Sequence, residues 1–423
     1  MAQYRQFLKN KNFALLWASQ TISQFGDRLN QMALIGVVYE KMSASPLALA
    51  KIFTVAIIPV FLISPVAGVY VDRWDFRRTM LFSDIIRGFL ILTIPLLLLH
   101  KSPVWGIYAI IFLAFCIGRF FIPAKLSLVP ELVPPEQIFM ANSLISTTGM
   151  VAAVIGFGIG GVLVERWGAR GAFILDALTF FASAGLIGGI TLRKPKKRFS
   201  PTDFLDLGKS LVTSIQKSFY YELKEGIHYI VTAPKTRFVF QSLSILFACL
   251  GALYVVLITF IQTTLGSKTQ DLGFLAVCLG LGLFLGSLVY GKIGVKFCAV
   301  RTITISLLVS GLYLIIFVVA LRYFPETIFA MISTSLLGFI IAPIVIGGSS
   351  LIHRDSNKEL WGRIFSSLEV VIHFFFLICM LLASYLAEKF SPFAIIISVG
   401  SIIVVVSLSI LLKNKKMESP FTL

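Results

Sequence analysis

The stretch Gly68-Val69-Tyr70-Val71-Asp72-Arg73-Trp74-Asp75-Phe76-Arg77-Arg78 lies between two long apolar runs. Its charged half is too short and too polar to cross a bilayer, so it reads as a tight turn joining one membrane helix to the next. Three arginines within six residues also mark a side, because basic residues gather in short cytoplasmic loops. The turn is therefore expected on the cytoplasmic face.

Composition points the same way. Of 423 residues, 57% are hydrophobic and only 13% charged, and the mean hydropathy is +0.91. Such a chain is not an ordinary soluble protein; it reads as an all-α integral membrane protein. The formal net charge of +17 would suggest nucleic acid only if it formed a basic patch on a folded soluble domain. Here Lys and Arg sit mostly in loops between apolar spans, so the expected surroundings are a lipid bilayer and no nucleic acid. Cys116, Cys249, Cys278, Cys298 and Cys379 fall mostly inside apolar runs, where cysteine behaves as a small hydrophobe. Neither a disulfide framework nor a metal site is expected, and His100, His228, His353 and His373 are scattered without ligand spacing. No phosphate-binding P-loop occurs, which argues against a self-contained ATP-driven pump. Residues 1–12 are polar and basic, the run after them exceeds a signal-peptide core, and no small-residue cleavage site follows. The first helix is expected to be retained.

Apolar segments of membrane-spanning length fall near 13–39, 47–71, 79–99, 104–124, 138–164, 170–191, 238–264, 270–291, 300–321, 326–352, 362–387 and 391–412, making twelve. With the N-terminus inside, 26 of the 37 Lys and Arg residues fall on the cytoplasmic side and 8 outside, while Arg28, Arg87 and Arg119 lie within spans. That asymmetry predicts cytoplasmic termini and a multi-pass protein of the plasma membrane.

The longest polar interval, 192–237, separates a domain at 1–191 from one at 238–423, six helices in each. It opens with Arg193-Lys194-Pro195-Lys196-Lys197-Arg198 and then carries Leu207, Leu211, Ile215, Phe219, Leu223 and Ile227 at steps of four. That spacing suits one side of a helix, and Lys209, Lys217 and Lys224 lie off the stripe, as expected for a helix along anionic headgroups. The halves also echo each other. Gly68 followed by Asp72 has a counterpart in Gly286 followed by Tyr290, and Pro135-Glu136-Gln137-Ile138 resembles Lys358-Glu359-Leu360-Trp361, at offsets of 218 and 223. Duplicated halves of this kind build transporters with a substrate site near the bilayer midplane.

Ionisable residues inside spans are the functional candidates, because burying one is costly unless it is paired or wetted. Asp27 lies roughly 21 Å along the first span at about 1.5 Å per residue, and Asn30 and Gln31 share its face while Arg28 points to the side. A polar face there should line a water-filled cavity, with Asp27 as a proton-titrating or substrate-contacting carboxylate or else a partner for Arg119 or Arg87. Asp84 and Arg87, three apart, are expected to form an intramembrane ion pair. Glu369 and His373, four apart, form a second polar spot, and histidine titrates near neutral pH. Asp176 reads as capping or pairing near the outer end of the sixth span. Gly156, Gly158, Gly160 and Gly161 permit close helix packing.

Several of these features resemble the major facilitator superfamily. The glycine of 68–78, followed four residues later by an Asp-Arg pair and then a basic cluster, is similar to its loop signature. Arg119-Phe120-Phe121-Ile122-Pro123-Ala124, Leu128-Val129-Pro130-Glu131-Leu132-Val133-Pro134 and Ala141-Asn142-Ser143-Leu144 resemble the branch of bacterial macrolide-efflux and enterobactin-exporter proteins. So do Gly26-Asp27, Asp84 with Arg87, and Gly362-Arg363. Two positions depart from the pattern. Asp75 and Phe76 stand where a glycine and a basic residue are usual, and Phe157 replaces the proline that drug/proton antiporters often carry after a glycine.

The resemblance implies a fold of twelve transmembrane helices in two six-helix bundles, acting as a monomer without a cofactor. It implies proton-coupled efflux of an amphipathic small molecule (drug, macrolide or siderophore), with protons as coupling ion. It further implies that Gly68, Asp72, Arg73, Arg77 and Arg78 form a conformational latch, and that Arg119 is tied to proton coupling. Two other readings are a lipid or lysophospholipid flippase on the same scaffold and a membrane-embedded prenyl-transferring enzyme. The second rests on Asp72 and Asp75 alone, without the second acidic cluster such sites need.

Overall fold

The computed structural model of this chain describes residues 9–42, 45–71, 74–99, 104–192, 234–266, 269–293, 298–355 and 361–413. Asp72, Arg73 and the basic, amphipathic stretch 193–233 lie outside them, and at Gly68, Gly362, Arg363 and Glu369 the backbone course alone is described. The elements in order are α1 (Lys11–Lys41), α2 (Pro46–Leu62), α3 (Ser64–Val71), α4 (Phe76–Leu99), α5 (Val104–Leu132), a 3-10 turn at Pro135–Gln137, and α6 (Ile138–Gly188). Then follow α7 (Pro234–Leu265), α8 (Thr269–Ile293), α9 (Ala299–Tyr323), α10 (Thr327–Asp355), α11 (Trp361–Lys389) and α12 (Pro392–Lys413). Among the described residues, nine helices are long and apolar enough to cross a bilayer. The fold is all-helical, as expected.

The elements do not map one to one onto the expected spans. α6 runs for 51 residues but is interrupted at Gly168, whose φ of 69° and ψ of 171° no helix contains. A straight helix of that length would reach about 75 Å, more than twice the hydrocarbon thickness. The positive φ, open to glycine without strain, divides it into two arms. α2 and α3 instead form one bent rod. Pro59 and Pro65 withhold backbone donors near Ile63, yet Ile63 N–H still donates to Pro59 O at 2.9 Å and Ala67 N–H to Ile63 O at 2.8 Å. α5 continues to Leu132 rather than ending near residue 124, through Pro123 and Pro130. Its last turns bury Leu128, Val129 and Leu132 against Phe13, Phe76 and Met80, and that packing outweighs the proline penalty.

The chain divides into two compact units, Met1–Val37 with Ile52–Tyr220, and Val38–Lys51 with Tyr221–Leu423. In the first, α4 packs on α5 and α6. Side chains Phe82, Phe89 and Leu96 on its outer face are exposed, as a lipid-facing surface requires. The main pairs in the second unit are α8 with α10, α7 with α11 and α9 with α12. There helices meet backbone to backbone. A Cβ on Gly282 would lie 1.8 Å from Ser335 O, one on Gly338 would lie 2.3 Å from Leu279 O, and one on Gly251 would lie 2.2 Å from Phe376 O.

The described part of the turn, 74–78, is built into the first unit by its side chains. Asp75 caps α4, its Oδ1 accepting from Arg78 N–H at 2.8 Å. Phe76 is buried in the core with Met80 and Ile187, and Trp74 stacks on Phe120 at 5.7 Å. The two departures from the family signature thus serve as a helix cap and a core plug. Arg78 is exposed. Arg77 reaches back to the end of α6, donating through Nε to Ile187 O at 3.0 Å and through Nη2 to Gly188 O.

The start of α1 is fastened to the same end. Asn10 donates to Leu132 O at 2.7 Å, Asn12 donates to Thr191 O at 2.8 Å, and Asn12 Oδ1 accepts from Thr191 N–H at 3.1 Å. A guanidinium on the carbonyls at a helix C-terminus is favoured by both hydrogen bonding and the helix dipole. Arg77→Ala should therefore destabilise the purified protein by about 1–3 kcal/mol, read as a lower melting temperature in detergent, with Arg77→Lys intermediate. An unchanged melting temperature would contradict the capping role.

Candidate functional site

The polar residues expected in mid-span converge inside the first unit, where α1, α4 and the second arm of α6 meet. Arg87 on α4 is the hub. Its Nη2 lies 2.7 Å from Asp27 Oδ1 on α1, and its Nη1 lies 3.9 Å from Asp84 Oδ1 one turn back. Phe180 of α6 presents its ring to the guanidinium at 4.0 Å from the centroid, an arrangement that attracts a cation. Gly118 on α5 leaves room on another side: a Cβ there would sit 3.5 Å from Arg87 Cζ. Asp84 accepts from Ser183 Oγ at 2.6 Å. The exposures are graded. Asp84 is fully buried, the Arg87 side chain is 11% exposed, and the Asp27 side chain is 37% exposed. One carboxylate of the cluster is sealed and the other is partly exposed, with one arginine between them.

A second pair stands beside it. Asp176, fully buried on α6, accepts from Asn30 Nδ2 at 2.7 Å. Its other oxygen, Oδ1, has no hydrogen-bond partner, and neither has Asn30 Oδ1. Close approach of α1 makes this pair possible: a Cβ on Gly26 would lie 1.9 Å from Thr179 Oγ1 and 2.6 Å from Asp176 Oδ1. Asp176 was expected to cap or pair near the end of its span, and the structure pairs it with α1. Its position amid Ala172, Phe173, Ala177 and Phe180, all buried, is the signal that could have marked it as interior.

The remaining expected residues spread outward from this centre. Gln31 accepts from Arg28 Nη1 at 3.1 Å rather than joining Asp27. The buried glycines of α6 receive α1: Gly156 faces Phe25 and Arg28, Gly160 faces Leu29 and Met32, and Gly158 and Gly161 are buried beside them. Arg119 is half-buried on α5 and does not meet Asp27 in an ion pair, the Asp27 partner being Arg87. Lys125, unremarked in the sequence, lies on α5 within electrostatic reach of Asp27. His373 is half-buried on α11 of the second unit. No group of three or more His, Cys, Asp or Glu suited to a metal occurs among the described residues.

A helical membrane protein with paired charges buried between spans, and with one member partly exposed, has the makings of a secondary transporter. Its fold is that of the major facilitator transporters. A crystal structure of a POT family transporter in complex with 5-aminolevulinic acid superimposes with a TM-score of 0.70, covering 96% of each chain at 15% identity. Within that superfamily, the chain belongs to the family described as transmembrane secretion effector, whose model matches residues 5–343. Among its relatives, the uncharacterised transporter YfiS of Bacillus subtilis is 26% identical over 292 residues, 68% of this chain and 65% of that protein. Macrolide efflux protein A of Streptococcus pyogenes is 23% identical over 395 residues, 89% of each. The family and these relatives are transporters and not enzymes, which removes the prenyl-transferring alternative.

Proposed function

We propose that this protein is a proton-coupled exporter of amphipathic small molecules (a drug, macrolide or siderophore) that works by alternating access. On this reading α1, the rod α2–α3, α4, α5, the two arms of α6 and α7 to α12 make twelve traverses of the plasma membrane. They form bundles at 1–191 and 238–423 joined by the linker 192–237, with both termini cytoplasmic. Similarity to a macrolide efflux protein favours export.

The observation that carries the coupling is the graded burial around Arg87. A proton arriving from water meets Asp27 first, because Asp27 alone of the two carboxylates paired with Arg87 is open. Protonation removes the charge that holds Nη2 at 2.7 Å and leaves Asp84 as the anion for the guanidinium. The ion pair that links α1 to α4 is then exchanged for one within α4, and α1 is released to move. Asn30 on α1 carries the same displacement to Asp176 on α6. Arg119, Glu369 and His373 stand as further coupling candidates. Asp72, Arg73, Arg77 and Arg78, with Gly68, act as the latch of the cytoplasmic side.

Proteoliposomes with an imposed pH gradient, tested over dyes, macrolides, siderophores and lysolipids, examine the reading directly. Efflux of at least one amphiphile should follow the gradient and collapse with an uncoupler. Asp27→Asn should bring gradient-driven efflux to background while the protein still reaches the membrane and elutes as one species. Gradient-driven efflux that persists in Asp27→Asn would remove Asp27 from coupling, and solute movement indifferent to the gradient would remove the proton.

A further inference from the structure

Trp17, Thr21, Gln24, Arg28 and Gln31 recur along α1 at steps of three and four, so they form one stripe. All five are half-buried. The first arm of α6 runs alongside: Trp17 Nε1 donates to Thr148 Oγ1 at 2.9 Å, Gln24 fills the space over Gly149, and Arg28 crosses Gly156. A half-exposed polar stripe within a span cannot face hydrocarbon, because its donors would be left unsatisfied there. It borders water.

Arg28 lies in this stripe between Gln24 and Gln31 and differs from Arg87 in one respect. Arg87 is held between two carboxylates, whereas Arg28 has no carboxylate partner among the described residues. Asp27, next to it in sequence, points to Arg87. The guanidinium of Arg28 is held by neutral groups only, donating through Nη1 to Gln31 Oε1 at 3.1 Å and lying 5.2 Å from the centroid of Phe157. Its Nε–H is buried without a partner. Phe157 is the residue that stands in place of the antiporter proline, so the departure from that motif is what positions this arginine. A cation kept in mid-membrane costs several kcal/mol unless something neutralises it. A guanidinium fixed by an amide and a ring, with donors to spare, is pre-arranged for a planar oxyanion.

We infer that Arg28, flanked by Gln24 and Gln31, is a docking site for an anionic oxygen group, carboxylate or phosphate, carried by an amphipathic substrate. The inference deepens the transport reading and rests on it: the substrate brings the counter-charge that the protein withholds, and its apolar part lies along Phe157. The same chemistry is offered by a soluble carboxylate and by a lysolipid headgroup.

The test is a binding measurement on the full-length protein in phosphatidylcholine nanodiscs, with dansylglycine fluorescence as the probe. The wild type should bind dansylglycine at least about tenfold more tightly than the neutral dansylglycine methylamide, as expected for one charge-assisted pair. Arg28→Gln should lose that preference and Arg28→Lys should keep most of it. Competition with oleoyl lysophosphatidate and with oleoyl lysophosphatidylcholine identifies the source. Displacement by lysophosphatidate alone supports the anion site and assigns a lipid headgroup, whereas displacement by neither supports it and assigns a soluble carboxylate.

Equal binding of dansylglycine and its amide by the wild type would overturn the inference without recourse to any variant. So would a preference that survives in Arg28→Gln. Failure of the transport reading looks different: anion binding that depends on Arg28 in a protein that moves no solute in proteoliposomes. An amphiphile exported down a pH gradient, with no anion preference in binding, would retain transport and discard the site.

Discussion

Arg87→Met should abolish accumulation of folded protein, the largest effect expected from any single change in the charged cluster. The substitution keeps the volume and apolar contact with Phe180 but removes the charge that lies 2.7 Å from Asp27 and 3.9 Å from Asp84. Asp27 can turn to water. Asp84, fully buried, cannot, and the Ser183 hydroxyl alone does not neutralise it. Breaking a buried pair by deleting one partner costs about 3–5 kcal/mol, a large share of the total stability of an ordinary domain.

If that stranded charge is the cause, adding Asp84→Asn to Arg87→Met should restore a monodisperse peak in size-exclusion chromatography while gradient-driven transport stays absent. A single Arg87→Met that folds and melts like the wild type would show that Asp84 is not charged in the native protein. The exchange of partners proposed for the coupling step would then have no anion to receive the arginine.

Gly282→Ala should be nearly as damaging, for a different reason. The added methyl would sit 1.8 Å from Ser335 O and 2.7 Å from Ser335 C, and both are backbone atoms that no rotamer change can move aside. α8 and α10 would have to separate by more than 1 Å to reach ordinary contact distance, and the approaches at Gly286 and Gly338 would open with them. Overpacking of this kind costs about 1–3 kcal/mol where side chains can yield, and the upper end or beyond is expected where backbones meet. Gly291→Ala supplies the control on the same helix, because nothing lies within 4 Å of a Cβ there. Melting curves of the two variants should differ by many degrees. Similar curves would show that α8 and α10 are held apart in the membrane.

What could be read from the sequence and what could not divide along chain separation. Helix positions followed from apolar runs, because hydropathy over about 20 residues is a local quantity. The i,i+3 relation of Asp84 and Arg87 was equally local. The stronger partner of Arg87, Asp27, lies 60 residues away; the sequence offered Asp27 both Arg87 and Arg119, and no spacing chose between them. Arg77 caps a helix end 110 residues downstream, and Asn30 meets Asp176 across 146.

Where the sequence misled, packing had outweighed a local rule. Pro123 and Pro130 lie inside α5 because the turns around them are needed by the core. Phe76, an interruption when the basic cluster is read as a motif, is a buried anchor. Phe157, a missing proline when the antiporter motif is read, has its ring against Arg28.

The fastening of the start of α1 to the ends of α5 and α6 by Asn10 and Asn12 bears on how work is passed through this half of the molecule. A rod pinned at its foot pivots more readily than it slides. On the proposed coupling, protonation of Asp27 would act some way up that lever rather than at its foot.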